Sequence, residues 1–165
     1  MTLLTNILSI ASCLLLTLTN AQYSPNEFCF RACELALANS VQFDTTDPIS
    51  GDNCTARTCP CTNGLSIASL YLCIRQYCTN EEIRLSVISF NESCQLLANV
   101  TAPGFQEVLG RYSDEDVLRL RHLFKHDTIA WPGPWPIVNE AVIVEKDLHE
   151  LAVDTLVRSS QTKGS

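Results

Sequence analysis

The sequence predicts a mainly α protein: a small disulfide-stapled helical domain followed by a helical C-terminal tail that contains Pro and Trp. Three observations carry this. Eight cysteines are confined to the stretch from Cys29 to Cys94. Helix-capping sequences precede apolar residues at helical spacing in several places. Strand signals, meaning runs of alternating apolar and polar residues, are nearly absent.

Residues 1–21 come first. Ile7 to Leu18 is uncharged and apolar or small, and Thr19, Asn20 and Ala21 follow it. This reads as a secretory signal peptide cleaved after Ala21, since the run falls short of the about 20 residues that span a bilayer. Cys13 leaves with it, so nine cysteines become eight, an even count suited to disulfides in an oxidising compartment. The expected localisation is therefore secreted or extracellular. Three glycosylation sequons agree with that: Asn53-Cys54-Thr55, Asn91-Glu92-Ser93 and Asn99-Val100-Thr101.

Residues 22–100 form the expected eight-cysteine helical domain. Ser24, Pro25 and Glu27 make a capping box ahead of an apolar face of Phe28, Ala32, Leu35 and Ala36, which places Cys29 and Cys33 one turn apart. Side chains at such positions run parallel, so these two cysteines are expected to bridge elsewhere rather than to each other. Gln42 to Asn53 carries Asp44, Asp47, Pro48, Gly51 and Asp52 and reads as a loop. Leu65 to Tyr77 is apolar on nearly every side and reads as a central buried helix. Thr79 with Glu82 opens another helix through Ile83, Val87 and Ile88 towards Cys94. A hydrophobic interior of this size rarely stabilises a domain comfortably alone, and disulfides add typically about 2 to 4 kcal/mol each.

Residues 101–165 read as a cysteine-free, juxtamembrane-like tail without a transmembrane segment. Ser113 and Asp116 cap a helix with Val117, Leu118, Leu120, Leu123 and Phe124 at helical period. Three prolines in Trp131 to Pro136 exclude a helix there. Ile137 to Val144 suggests one short strand, and Asp147 to Val157 a last helix with Leu148, Leu151, Ala152 and Leu156 on one face. Ser159 to Ser165 is polar and expected to be disordered.

The cysteine spacings are C-x3-C, C-x4-C-x-C and C-x4-C. Zinc ribbons and thioredoxin-like sites want CxxC pairs, so Cys29, Cys33, Cys54, Cys59, Cys61, Cys73, Cys78 and Cys94 are read as disulfide partners and no metal site is assigned. His122 and His126, at i and i+4 in RLRHLFKHD, could face one side of a helix, but a solvated basic face with Arg119, Arg121 and Lys125 accounts for them. Asp114, Glu115 and Asp116 suit a helix start. No G-x-S-x-G or other catalytic pattern occurs, so no catalytic residue and no cofactor are expected. Trp131 and Trp135 are read as packing the tail against the cysteine core rather than as a sugar- or protein-docking surface. The formal net charge of −7 argues against nucleic acid as a partner.

CFRACELAL, the C-x4-C-x-C run, SLYLCIRQYCTNEEI and SFNESC together resemble the extracellular N-terminal region of fungal ferric reductases. GFQEVLGRYSDEDVLRLRHL and WPGPWPIVNEAVIVEKDLHELAVDTL continue the likeness through the tail, so it covers nearly the whole mature chain. The resemblance implies a non-catalytic extracellular module of a membrane protein of iron acquisition. In that family, haem-holding membrane helices and flavin- and NADPH-binding domains follow this region, so the chain reads as the ectodomain, truncated ahead of them and not an enzyme by itself. Its partners would be ferric chelates or cell-surface and wall components. The eight-cysteine spacing is also similar to the CFEM module of fungal surface proteins, and the alternative expectation is a secreted, CFEM-like haem- or iron-binding or effector protein. That module's haem ligand is an Asp between the third and fourth cysteines. Thr55, Ala56, Arg57 and Thr58 stand between Cys54 and Cys59 here, and the nearest acid, Asp52, precedes Cys54.

Overall fold

The computed structural model describes residues 28–46, 53–55, 58–129 and 135–162. Residues 1–21, read as a signal peptide, with Cys13, the expected Ser24–Pro25–Glu27 capping box, Asp47 and Asp52 of the acidic stretch, and Trp131 lie outside them. Among the described residues seven helices occur: α1 (Phe28–Ala38), α2 (Cys59–Thr62), α3 (Gly64–Tyr77), α4 (Asn80–Ala98), α5 (Phe105–Leu109), α6 (Asp114–Arg119) and α7 (Lys146–Thr162). The four short strands are β1 (Gln42–Phe43), β2 (Arg121–Leu123), β3 (Ile137–Val138) and β4 (Val142–Val144). The mainly α, disulfide-stapled class read from the sequence is the observed one.

The central helix α3 buries Leu65, Ile67, Ala68, Leu70, Tyr71, Leu72, Cys73 and Ile74 together. A helix apolar all round must be enclosed by neighbours, and α1, α2, α5 and β4 supply that enclosure, with Phe90 of α4 reaching Tyr71. α4 begins where expected: Thr79 Oγ1 accepts from the Glu82 N–H, and the Glu82 carboxylate accepts from the Thr79 N–H at 2.8 Å. The Ser113 and Asp116 pair caps α6 in the same reciprocal way. Helix α7 lays Leu148 and Ala152 against α1, with Leu151 and Leu156 partly buried beside them. The hydrophobic cluster thus runs from Phe30 in α1 to Ala152 in α7, continuing well beyond the last cysteine.

Four expectations are corrected. The helix capped by Ser113 ends at Arg119. Leu120 turns extended, and Arg121–Leu123 pairs in parallel with Val142–Val144 as β2 and β4. The pairing fully buries Leu123 and leaves Leu118 76% exposed, so tertiary burial overrides the local helical period. Gln42 and Phe43, expected in a loop, form β1 against Ile137 and Val138 of β3. The single strand expected over Ile137–Val144 is divided into β3 and β4, which serve two different two-stranded sheets. Helix α7 continues past Val157 to Thr162, where Ser159, Ser160 and Thr162 hydroxyls bond back to carbonyls of the preceding turn rather than leaving the backbone free. Residues 163–165 lie outside the described set.

Candidate functional site

The eight cysteines from Cys29 to Cys94 are all bridged: Cys29–Cys78, Cys33–Cys73, Cys54–Cys59 and Cys61–Cys94. Cys29 and Cys33, one turn apart on α1, both reach the C-terminal half of α3 and the residue that follows it, which clamps the two helices side by side. Cys61–Cys94 ties the short α2 to the end of α4. Cys54–Cys59 closes a small loop ahead of α2. Within that loop Thr55 and Thr58 exchange backbone and hydroxyl hydrogen bonds.

A residue that the sequence reading missed sets where α3 begins. Asn63 is fully buried; its Oδ1 accepts from the Leu65 and Ser66 N–H groups at 3.0 and 2.9 Å, and its Nδ2 donates to the Asp44 carbonyl at 2.9 Å. The N-cap thereby also anchors the chain leaving β1. An Asn directly before a glycine and an apolar run was the available signal. Ser69 makes a comparable link, donating to Leu65 O at 2.8 Å and accepting from Val142 N at 2.9 Å, which fixes β4 onto α3.

These anchors shape a cavity of about 480 Å³. Leu37 and Ala38 of α1, Val41 and Phe43 around β1, Leu70 of α3 and Phe90 of α4 form its apolar walls, and Trp135 forms one side. Cys59 and Pro60 bring the α2 end to its rim, and Glu34, Gln42, Thr45 and Ser66 are the polar residues of the lining. Glu34 lies 2.5 Å from Arg31 Nη1. Burial pushes its carboxyl up, and the Arg31 guanidinium pulls the other way. Trp135 is half-buried at this side of the cavity, and Trp131 lies outside the described residues.

The histidines do not converge. His122 sits on β2 with Nδ1 2.5 Å from Glu145 Oε1, whereas His126 lies in the 3-10 turn Lys125–Asp127 and stacks on Phe124 with ring centroids 5.5 Å apart. The i, i+4 geometry needed for a shared metal is lost with the helix, which corrects the reading of one basic helix face. Among the described residues no group of three His, Cys, Asp or Glu is placed to hold a metal ion. His149 is buried instead, stacked on Tyr77 at 4.4 Å with Nε2 4.0 Å from Cys29 Sγ. Burial lowers its pKa, opposed by the Cys29 backbone and by Glu150 and Glu82. The Tyr77 hydroxyl donates to Val144 O at 2.8 Å. This cluster secures α7 and β4 to the Cys29–Cys78 bridge.

The sequons differ in setting. Asn99 is exposed and ends α4 in the left-handed region at φ 55°, a conformation Asn tolerates well. Asn91 is half-buried within α4, its Oδ1 accepting from Ala102 N at 3.0 Å. Asn53 is exposed beside the bridged Cys54, with Oδ1 accepting from the Thr46 hydroxyl. In a eukaryotic secretory host we expect glycans on Asn99 and Asn91, with Asn99 the more fully occupied. An N-glycan-removing enzyme should increase gel mobility, and Asn99→Gln should shrink that shift more than Asn91→Gln. Secreted protein whose mobility does not change would contradict this.

Among the described residues no helix is long and apolar enough to cross a membrane. In comparisons with known proteins the chain matches no family model, no curated protein and no solved structure.

Proposed function

We propose that the chain is a non-catalytic extracellular module of a fungal ferric reductase-like protein, acting in iron acquisition at the cell surface by receiving or presenting ferric chelates. The observation that carries this reading is the use made of the eight cysteines. Their spacing carries the resemblance, and every one of them is committed to a bridge. Bridged sulfurs supply no thiolate to a metal or a nucleophilic step, so the cysteine pattern supports a scaffold rather than a reactive centre. Four disulfides also suit an oxidising, extracellular setting.

Contact with iron in this reading is weak and driven by charge. Ferric ion is hard and prefers oxygen donors; exposed carboxylates such as Asp44 attract the ferric centre of a chelate that keeps an open coordination position, without a closed cage. Such an interaction is screened over about 8 to 10 Å at physiological salt.

The test uses the bridged chain purified from a eukaryotic secretory host. Ferric nitrilotriacetate is offered with NADPH and FAD, and haemin is titrated separately while its absorption is followed. The expected result is no ferrous product above the protein-free control, no one-to-one haemin complex, and iron retention that salt abolishes. Turnover would make the chain an enzyme, a stoichiometric haemin complex would favour the secreted haem-binding alternative, and the absence of any salt-sensitive retention would remove ferric chelates as partners.

A further inference from the structure

The cavity beside α1 is a binding site in its own right, independent of the iron reading. We infer that it takes one small, uncharged, mainly hydrocarbon molecule that carries a single hydrogen-bond donor.

Volume is the first argument. About 480 Å³ lies within the range of roughly 300 to 1,000 Å³ typical of sites for drug-sized molecules. The space is a cleft whose mouth is formed by the exposed residues Ala38, Gln42, Thr45 and Pro60 and whose floor is apolar. The walls are well supported: Leu37, Val41, Leu70 and Phe90 are buried core residues contributed by three separate segments, the end of α1 with the turn after it, α3 and α4. They sit on elements held by disulfides and by the Asn63 anchor, so the space is held open by a braced frame rather than by one flexible loop.

The lining chemistry selects the ligand. Three aromatic side chains, Phe43, Phe90 and Trp135, meet aliphatic walls, a combination that favours hydrocarbon surface through burial and ring contacts. Glu34 is the charged group among the lining residues. Its carboxylate, paired on one oxygen with Arg31, can accept a hydrogen bond from a ligand hydroxyl or amine, and while Arg31 is held in that pair it disfavours a ligand carboxylate, sulfonate or phosphate brought within a few ångströms. The overall charge of −7 acts in the same direction. Fatty acids and other amphiphilic anions are therefore selected against, and neutral alcohols, phenols and amines are favoured.

N-phenyl-1-naphthylamine, neutral and bearing one N–H donor, serves as the probe; 1-anilinonaphthalene-8-sulfonate is its anionic counterpart. Titrated into the bridged chain, the neutral probe should brighten with saturation at one equivalent, and the anion should bind at least about tenfold more weakly. Ala38→Trp places an indole in the cavity from an exposed position at the end of α1. It should weaken the neutral probe by about tenfold or more with the thermal midpoint retained. Glu34→Gln should leave the neutral probe within about threefold while tightening the anion by about tenfold. No saturable brightening would overturn the inference, as would equal binding by a folded Ala38→Trp chain. Wild-type binding of the anion as tight as that of the neutral probe would overturn the charge selection and with it the ligand class.

Discussion

Removal of the Cys61–Cys94 bridge by paired alanines should cost about 4 kcal/mol of stability, more than removal of any other single bridge. The ranking follows from how the bridges are nested and not from sequence separation alone. Cys33–Cys73 spans 40 residues and Cys29–Cys78 spans 49, against 33 for Cys61–Cys94. The first two, however, close nearly the same loop. With Cys29–Cys78 intact, cutting Cys33–Cys73 frees only the short ring made by the four-residue step on α1 and the five-residue step after Cys73. On the loop-entropy account that costs about 3 kcal/mol, and loss of Cys54–Cys59, spanning 5 residues, about 2. No such shortcut exists for Cys61–Cys94, because no other bridge holds α2 to α4. Cys33 and Cys73 are as deeply buried as Cys61 and Cys94, so lost sulfur packing adds a similar cost to both variants and the entropic term sets their order. Urea unfolding of the four paired-alanine variants under non-reducing conditions measures the order. A Cys33–Cys73 variant less stable than the Cys61–Cys94 variant would show that sequence separation, and not nesting, governs the effect. Removing both nested bridges at once should cost more than the sum of the two separate losses, because only then does the large loop open.

Local chemistry was legible where a few neighbouring residues decide the outcome. Thr79 with Glu82 and Ser113 with Asp116 carry their capping geometry in four residues, and both are formed. The all-round apolarity of Leu65 to Tyr77 announced a buried helix, and the one-turn spacing of Cys29 and Cys33 ruled out a bond between them. What escaped the sequence is decided at a distance. Gln42 and Phe43 become a strand only because Ile137 and Val138 arrive beside them. A two-residue parallel pair leaves no alternation to read. The segment from Leu120 to Phe124 suits a helix or a strand by its apolar spacing, and the position of β4 chooses the strand, separating His122 from His126. The cavity was illegible for the same reason: its walls come from α1, β1, α2, α3, α4 and Trp135, and no local window contains more than a part of it. Asn63 differs from these, since its capping signal was present in the sequence and only its second role, holding Asp44, required the fold.

Tyr71 joins the cysteine-bridged helices to the chain beyond them, and its removal should be among the most damaging single changes. The residue is fully buried at the middle of α3. Its ring meets Phe90 of α4 edge-on at 6.0 Å and Phe105 of α5 at 5.1 Å, and its hydroxyl donates to the Pro103 carbonyl at 3.0 Å. Truncation to alanine removes the shared surface of three elements at once and leaves a cavity the bridged frame cannot collapse, so Tyr71→Ala should cost about 3 to 5 kcal/mol. Tyr71→Phe isolates the hydrogen bond and should cost about 1 kcal/mol near neutral pH. The pH dependence separates that bond from packing. Burial pushes the Tyr71 hydroxyl up to about 12 from its ordinary 10.0. In the unfolded chain the proton is lost at the lower value, so the stabilisation from keeping this group neutral is fully present below about 10 and is lost as pH rises towards about 12. Tyr77, pushed up to about 12 mainly by burial and further by Glu145, Asp147 and Glu150, behaves alike and is present in both proteins. The stability gap between wild type and Tyr71→Phe should therefore narrow as the pH is raised through that window, read from urea midpoints at a series of alkaline pH values. A gap that stays constant would mean that the hydroxyl is solvated and that Tyr71 contributes through its ring alone.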